Sequence, residues 1–122
     1  MSFKHDPADS LADIIENAER IATYIGGLDQ FAFEQHGLVR DGVERCLERN
    51  CEAVYRLREK AEELMPGQPF RDIRGMGSRL RHAYERIELA VVRGAAERDV
   101  PELATVAQRA LTALEPGGNN PG

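Results

Sequence analysis

Apolar residues recur at intervals of three and four through most of this chain, and that spacing constrains the fold more than any other feature. The longest such stretch is predicted as one helix over residues 38–65, whose stripe reads Val43, Leu47, Asn50, Val54, Leu57, Ala61 and Leu64. A heptad-like stripe of this kind packs against other helices in a bundle. An amide such as Asn50 within it usually fixes helix register or bonds a neighbouring helix, and a role in a site is the alternative.

Shorter stretches of the same spacing, separated by glycine and proline, predict the remaining helices. Their expected spans are 10–25, 29–35, 70–84, 88–98 and 101–114. Ser10 with Asp13 resembles a capping box for the first helix, and Asp29 caps the second, to which Phe31 and Phe33 supply bulk. No alternating strand pattern is present. The sequence therefore predicts an all-α fold, an antiparallel bundle of about five helices over residues 10–114, between a disordered lead-in (1–9) and a disordered tail (115–122).

Length and composition limit the classes of protein this chain can represent. Its 122 residues suffice for one domain with its own core. Its polar start and the lack of a long apolar run predict a cytoplasmic protein without a membrane span. Cys46 and Cys51 lie five residues apart in one predicted helix and point away from each other, so we expect both to be reduced and buried. No residues at metal-ligand spacing surround them, and no cofactor or metal site is predicted.

Positive charge is concentrated in one segment of an otherwise acidic chain. The formal net charge is −5, which argues against a general nucleic-acid coat. Residues 71–86 nevertheless carry five arginines against two acids, a local charge of +3. The arginines are Arg71, Arg74, Arg79, Arg81 and Arg86.

A histidine lies inside this segment, on the helix face opposite the apolar stripe. Arg74, Ser78 and His82 are spaced i, i+4 and i+8, while the predicted stripe comprises Ile73, Met76, Leu80, Ala83 and Ile87. An imidazole can exchange protons with an RNA 2′-hydroxyl or a leaving oxygen, and guanidinium groups hold phosphate. Nearby positive charge is expected to lower the pKa of His82. The alternative is a solvated arginine-rich face with an incidental histidine.

Two glycines fall inside the same predicted helix. Gly75 and Gly77 each cost roughly 1 kcal/mol relative to alanine. Such a cost is usually offset by the close approach of another backbone, from a bundle neighbour or a second subunit, or else of a ligand. The other histidines, His5 in the loose start and His36 at a turn, are expected to be structural.

The segment from Arg71 to Tyr84, which reads Arg-Asp-Ile-Arg-Gly-Met-Gly-Ser-Arg-Leu-Arg-His-Ala-Tyr, resembles the signature segment of the HepT-like proteins. These are the HEPN-fold toxins of HepT/MNT toxin–antitoxin modules. The pair Glu52-Ala53 and the run Asp99-Val-Pro-Glu-Leu103 resemble the same family. The resemblance covers about residues 11–114.

This resemblance implies a homodimeric, metal-independent endoribonuclease with its sites in a cleft at the dimer interface. His82 and Tyr84 match the family motif. The implied partner is an MNT-type nucleotidyltransferase antitoxin that transfers AMP to Tyr84. RNA would be the substrate, with His82, Arg79 and Arg74 in catalysis.

Further side chains of the segment are predicted to bind substrate. They are Ser78, Arg71, Arg81 and Arg86. The chain departs from the motif at one position, because an arginine five residues before His82 would fall at Gly77, and Ser78 replaces the asparagine that often follows it. Arg74 or Arg79 would then have to take the place of the motif arginine. The alternatives are a non-catalytic RNA- or nucleotide-binding helical module with a degenerate site, and a structural adaptor.

Overall fold

The computed structural model describes the backbone of residues 6–82 and 89–115, together with their side chains apart from those of residues 81 and 82. This part of the chain is helical and contains no strand. Its helices are α1 (Pro7–Ile25), α2 (Gln30–Gln35), α3 (Gly37–Leu57), α4 (Lys60–Leu64), α5 (Phe70–His82), α6 (Leu89–Gly94) and α7 (Val100–Leu114), with a π-helical segment (Ala95–Asp99) between the last two. The predicted all-α class is confirmed.

The first helix begins earlier than predicted. Asp6, rather than Ser10, caps α1: its Oδ1 accepts a hydrogen bond from the Ala8 N–H at 3.0 Å, and Pro7 occupies the first turn. Proline suits that position because its missing N–H would have no helical partner there. Ser10 is instead buried inside α1. Residues 7–9, expected in the lead-in, are therefore helical.

The second helix is capped as predicted, but one of its two aromatic residues faces solvent. Asp29 Oδ1 accepts from the Ala32 N–H at 2.8 Å. Phe33 is fully buried, whereas Phe31 is 74% exposed, so Phe31 adds nothing to the core of the chain. His36 ends α2 and caps α3 through its Nδ1, which accepts from the Val39 N–H.

The long third helix predicted over 38–65 is interrupted. Arg58 has φ +52°, and its N–H bonds the Tyr55 carbonyl, which ends α3 and starts the short α4 after one more residue. The apolar stripe nonetheless continues into α4, because Ala61 is fully buried and Leu64 is partly buried against the core, and Met65, which follows α4, is fully buried as well. The interruption turns the chain so that these residues still reach the core.

The core lies between α1, α3 and α7, and α5 packs on α3. One apolar cluster joins Leu11 and Ile14 of α1 to Val54 of α3 and Leu103 of α7. A second cluster continues the core toward α6 and the π-helical segment. Arg56 ties α1 to α3, since its Nη2 lies 2.7 Å from Asp13 Oδ2.

The last two predicted helices form one continuous helical segment and are not separate elements. We expected a fresh start at Asp99 and Pro101, but the backbone runs from α6 through the π-helical segment into α7. The Val100 N–H bonds the Ala95 carbonyl, five residues back. Because Pro101 has no N–H to give to the preceding turn, the widened turn lets the helix continue past it.

Both cysteines are buried and neither forms a disulfide bond, as predicted. Within residues 6–82 and 89–115, no helix is both long and apolar enough to cross a membrane.

Candidate functional site

The predicted division of α5 into an apolar and a basic face is confirmed for the described side chains. Phe70 and Leu80 are buried, and Ile73 and Met76 are partly buried against the rest of the bundle. The opposite face is exposed. It carries Arg71, Arg74, Ser78 and Arg79.

The remaining predicted site residues lie at the end of this helix or after it. His82 is the last residue of α5, and the helical register puts position 82 in line with Arg74 and Ser78. Arg81 also belongs to α5. Tyr84 and Arg86 lie outside the described residues, as do Ala83 and Ile87 of the predicted apolar stripe.

The described arginines of α5 differ in their surroundings from four arginines on α1, α3 and α6. Arg20, Arg45, Arg56 and Arg93 each form an ion pair with a glutamate or an aspartate. Within the described part of the chain, no ion pair involves Arg71, Arg74 or Arg79. Three guanidinium groups on one helix face are therefore available to an external anion.

A groove of about 740 Å³ runs along one side of α5. One wall is α5 and the other is formed by the π-helical segment and the start of α7, with α3 beneath. Of the predicted site residues, Arg71, Ser78 and Arg79 line it, whereas Arg74 does not. The structure thus brings three of the predicted residues to one concave surface and leaves Arg74 outside it.

The floor of the groove contains a buried polar side chain without a hydrogen-bond partner in the described part of the chain. Asn50 of α3 lines the groove and is 3% exposed. Neither its Nδ2 nor its Oδ1 has a hydrogen-bond partner among the described residues. The interpretation of Asn50 as a side chain that bonds a neighbouring helix is therefore wrong for this part of the chain.

The wall opposite α5 carries acidic groups that the sequence did not mark as site residues. Asp99 and Glu102 line the groove there, and Asp72 of α5 also contributes. The α5 wall thus carries two arginines and one aspartate, while the opposite wall carries two acids. In the sequence, Asn50 stood out within an apolar stripe, and Asp99 and Glu102 lie in the run that resembles the family, but neither signal placed them in a groove.

Gly75 lines the groove and has open space beside it. A Cβ built on Gly75 would meet no atom within 4 Å. The expectation that a bundle neighbour approaches this glycine closely is therefore wrong within the described chain. A second subunit or a ligand remains as the reason for a glycine here.

Two titratable groups outside the groove have shifted pKa values. Burial raises the pKa of the Cys46 thiol, although nearby arginines, Arg49 first among them, act in the opposite direction. Burial, reinforced by Asp41, also raises the pKa of Glu44. Cys46 therefore stays protonated near neutral pH and is no nucleophile. Among residues 6–82 and 89–115, no three histidine, cysteine or acidic side chains are grouped so as to hold a metal ion.

Comparison with known proteins finds a family and three relatives that are all described as ribonucleases. The family model described as "Ribonuclease HepT-like" matches residues 14–110. A protein of Methanocaldococcus jannaschii named "Putative RNase MJ1216" is 27% identical over 112 residues, which is 92% of this chain and 93% of that protein. A second, "Putative RNase MJ0125" of the same organism, is 28% identical over 112 residues, covering 92% of this chain and 97% of its own.

A third protein of that organism, "Putative RNase MJ1380", is 27% identical over 100 residues, or 82% of this chain and 92% of its own length. No solved structure matches the chain. The family model covers most of the chain, including α5 with its arginines, and the relatives align over nearly their whole length. The chain belongs to the HepT-like ribonuclease family.

Proposed function

We propose that this protein is a metal-independent endoribonuclease that uses the basic face of α5 to cleave RNA. The observation that carries the proposal is the set of unneutralised guanidinium groups on that face, in register with His82. Arg79 and Arg74 hold the scissile phosphate, and Ser78 assists by hydrogen bonding. Arg71, Arg81 and Arg86 bind neighbouring phosphates of the strand.

The reaction we propose is an internal transesterification. His82 accepts the proton of a ribose 2′-hydroxyl, and the oxygen attacks the adjacent phosphorus while the bond to the 5′-oxygen of the next nucleotide breaks. The imidazolium returns its proton to that leaving oxygen. The products are a 2′,3′-cyclic phosphate and a 5′-hydroxyl. Guanidinium groups stabilise the charge that develops on the phosphate oxygens.

Replacement of the proposed proton carrier tests this mechanism directly. His82→Ala is expected to lower RNA cleavage by at least roughly 100-fold, the usual contribution of general acid–base catalysis. Its melting temperature should stay close to that of the unmodified protein. Cleavage is measured on a labelled RNA in the presence of EDTA, and the 2′,3′-cyclic ends are identified by mass spectrometry.

A matched control is His36→Asn, which replaces another histidine but keeps a side chain able to cap α3. This variant should cleave like the unmodified protein. Full activity of His82→Ala would remove His82 from the mechanism. RNA that is bound but left intact by the unmodified protein would favour the non-catalytic binding module instead.

We further propose that the protein is the toxin of a toxin–antitoxin pair and that an MNT-type nucleotidyltransferase is its antitoxin. That enzyme would join the phosphorus of AMP to the Tyr84 hydroxyl and release pyrophosphate from ATP. The added phosphate would compete with RNA for the arginines of α5. The support for this proposal is family membership and the position of Tyr84 two residues after His82.

Intact-mass spectrometry after coexpression with such a nucleotidyltransferase tests the pairing. We expect one AMP on the unmodified protein and none on Tyr84→Phe. Tyr55→Phe, which changes an exposed tyrosine on α3, is the control and should still be modified. Adducts that persist in Tyr84→Phe would contradict the assignment of the modified residue.

A further inference from the structure

We propose that the groove beside α5 receives a single unstacked RNA base and that the Asn50 amide on its floor reads the identity of that base. This inference rests on the proposed ribonuclease function, because the base would belong to the strand whose phosphates the α5 arginines hold. It adds a specificity-determining residue on α3, remote in sequence from the motif segment.

Asn50 is a buried amide whose polar atoms form no hydrogen bond among the described residues. A buried amide that lacks hydrogen bonds destabilises a protein, and native proteins contain few such groups. Both polar atoms of Asn50 are in this state, although leucine would fit the apolar stripe of α3. The other buried asparagine, Asn17, donates from its Nδ2 to the Asp13 carbonyl at 2.9 Å. Both polar atoms of Asn50 are closed to solvent, so Asn50 keeps one donor group and one acceptor for a molecule that displaces the side chains covering them in the groove.

The groove has the size and surface that a nucleobase requires. Its volume of about 740 Å³ lies within the usual range of ligand pockets, roughly 300–1,000 Å³. Its lining is largely apolar and includes Leu47, Met76 and Leu103, which suit a flat, weakly polar ring. The flexible thioether of Met76 can adjust to expose the floor.

The charges on the two walls fix the orientation of a nucleotide. Arg71 and Arg79 on the α5 wall attract a phosphate, while Asp99 and Glu102 on the opposite wall repel one. The same carboxylates can accept hydrogen bonds from exocyclic amino groups of a base. A nucleotide therefore places its phosphate along α5 and its base across the groove, above Asn50.

The amide is suited to recognition of a base edge. Asparagine offers a donor and an acceptor side by side, and sequence-specific RNA-binding proteins read splayed-out bases through such pairs. A helix from another protein would present apolar side chains to the floor and leave the amide unbonded. The open space beside Gly75 keeps the mouth of the groove clear on the α5 side.

The first test variant is Asn50→Leu, which keeps the approximate volume but removes the polar atoms. We expect its melting temperature to be equal to or higher than that of the unmodified protein. Cleavage sites are mapped by sequencing the ends produced from a long RNA of mixed sequence. The preference of the unmodified protein for one base beside the cut should fall by roughly tenfold in Asn50→Leu, as expected when a paired hydrogen-bond contact is lost.

The second variant is Gly75→Leu, which adds a side chain at the groove mouth, where its Cβ would meet no atom within 4 Å. It should weaken the binding of labelled octamers of A, C, G and U, measured by fluorescence anisotropy, and abolish the differences among them. Asn17→Leu is the matched control, because Asn17 is buried but lies outside the groove. This variant should keep the base preference.

The outcomes separate this inference from the proposed function. The inference would be overturned by an unchanged base preference in Asn50→Leu, or by a clear loss of stability or of oligomeric state in that variant. RNA cleavage by the unmodified protein would still support the ribonuclease proposal. If the unmodified protein binds the octamers selectively but cuts no RNA, the ribonuclease proposal fails and the base site is supported. Absence of both binding and cleavage would overturn the two together.

Discussion

At the scale of single residues, the described arginines include some that are paired with acidic side chains and some that are not. Ion pairs are formed by four arginines on α1, α3 and α6, namely Arg20, Arg45, Arg56 and Arg93, and Arg93 also donates from its Nη2 to the Leu28 carbonyl at 2.6 Å. Of these, Arg56 and Arg93 join separate elements of the fold. Arg71, Arg74 and Arg79 have no such partner within the described residues, so their charge is directed toward solvent. The same residue type thus serves two purposes that composition alone does not separate.

The unpaired arginines predict a salt-dependent affinity for RNA. Arg79→Gln should weaken RNA binding. It should also reduce the steepness of the slope of log affinity against log salt concentration by roughly 0.7, the value for one phosphate contact on a single strand. The measurement is fluorescence anisotropy of a labelled octamer between low and moderate salt. Arg49→Gln is the control, since Arg49 is exposed but lines a different polar cleft, between α1 and α3. Equal slopes for all three proteins would show that Arg79 contacts no phosphate.

At the scale of helices, most elements could be predicted from the sequence, and the structure departs from the prediction at the start of α1, at Arg58 and between α6 and α7. The start of α5 and the Asp29 cap follow from local signals, a proline or a side-chain oxygen beside the first turn, and the Asp6 cap of α1 is a signal of the same kind. The interruption at Arg58 has no such signal, because the apolar spacing continues across it. Pro101 marks the place of the π-helical segment, but the choice between a new helix and a widened turn depends on how α6 and α7 both meet the core. Tertiary packing decides these last two features.

The interruption at Arg58 predicts a difference between two substitutions. Arg58 adopts φ +52°, a conformation that glycine tolerates and residues with a Cβ do not favour. Arg58→Gly should therefore be more stable than Arg58→Ala by about 1 kcal/mol. Both variants lose the contact of the guanidinium with the Tyr55 ring, 5.5 Å away. The difference between their free energies of unfolding therefore reports the backbone strain at position 58. Denaturant unfolding measures it, and equal stabilities would mean that the helix end rearranges.

At the scale of the whole molecule, a chain of net charge −5 presents three arginines without an ion pair among the described residues on the exposed side of one helix, α5. The sequence predicted the helical class and the basic face of α5, because both follow from helical periodicity. It did not predict the groove, which depends on the distance at which α5 and the start of α7 lie on α3. The role we propose for Asn50 became apparent only when its lack of a partner was seen together with that groove.

The family resemblance implies a homodimer with its sites in a cleft between the two copies, and this expectation makes a prediction for the assembly. Sedimentation at micromolar concentration should give a mass twice the chain mass of 13.6 kDa. A twofold dimer would double the number of α5 arginines along one RNA strand. If the protein sediments as a monomer and still cleaves RNA, the site is complete within one chain and the dimer cleft is not required.

The π-helical segment Ala95–Asp99 also sets the rotational phase of everything that follows it. A turn closed by a bond five residues back holds one residue more than an ordinary α-helical turn, so winding the same residues as α-helix would rotate α7 by about 100° about its own axis relative to α6. Leu103 and Ala107 would leave the core, and Glu102 would leave the groove wall. Loss of one residue from the segment would instead restore α-helical winding with α7 on nearly its present face, whereas a deletion at the start of α7 would be transmitted along the rest of its 15 residues. The extra residue of this short stretch is therefore what keeps α7 in phase with the core.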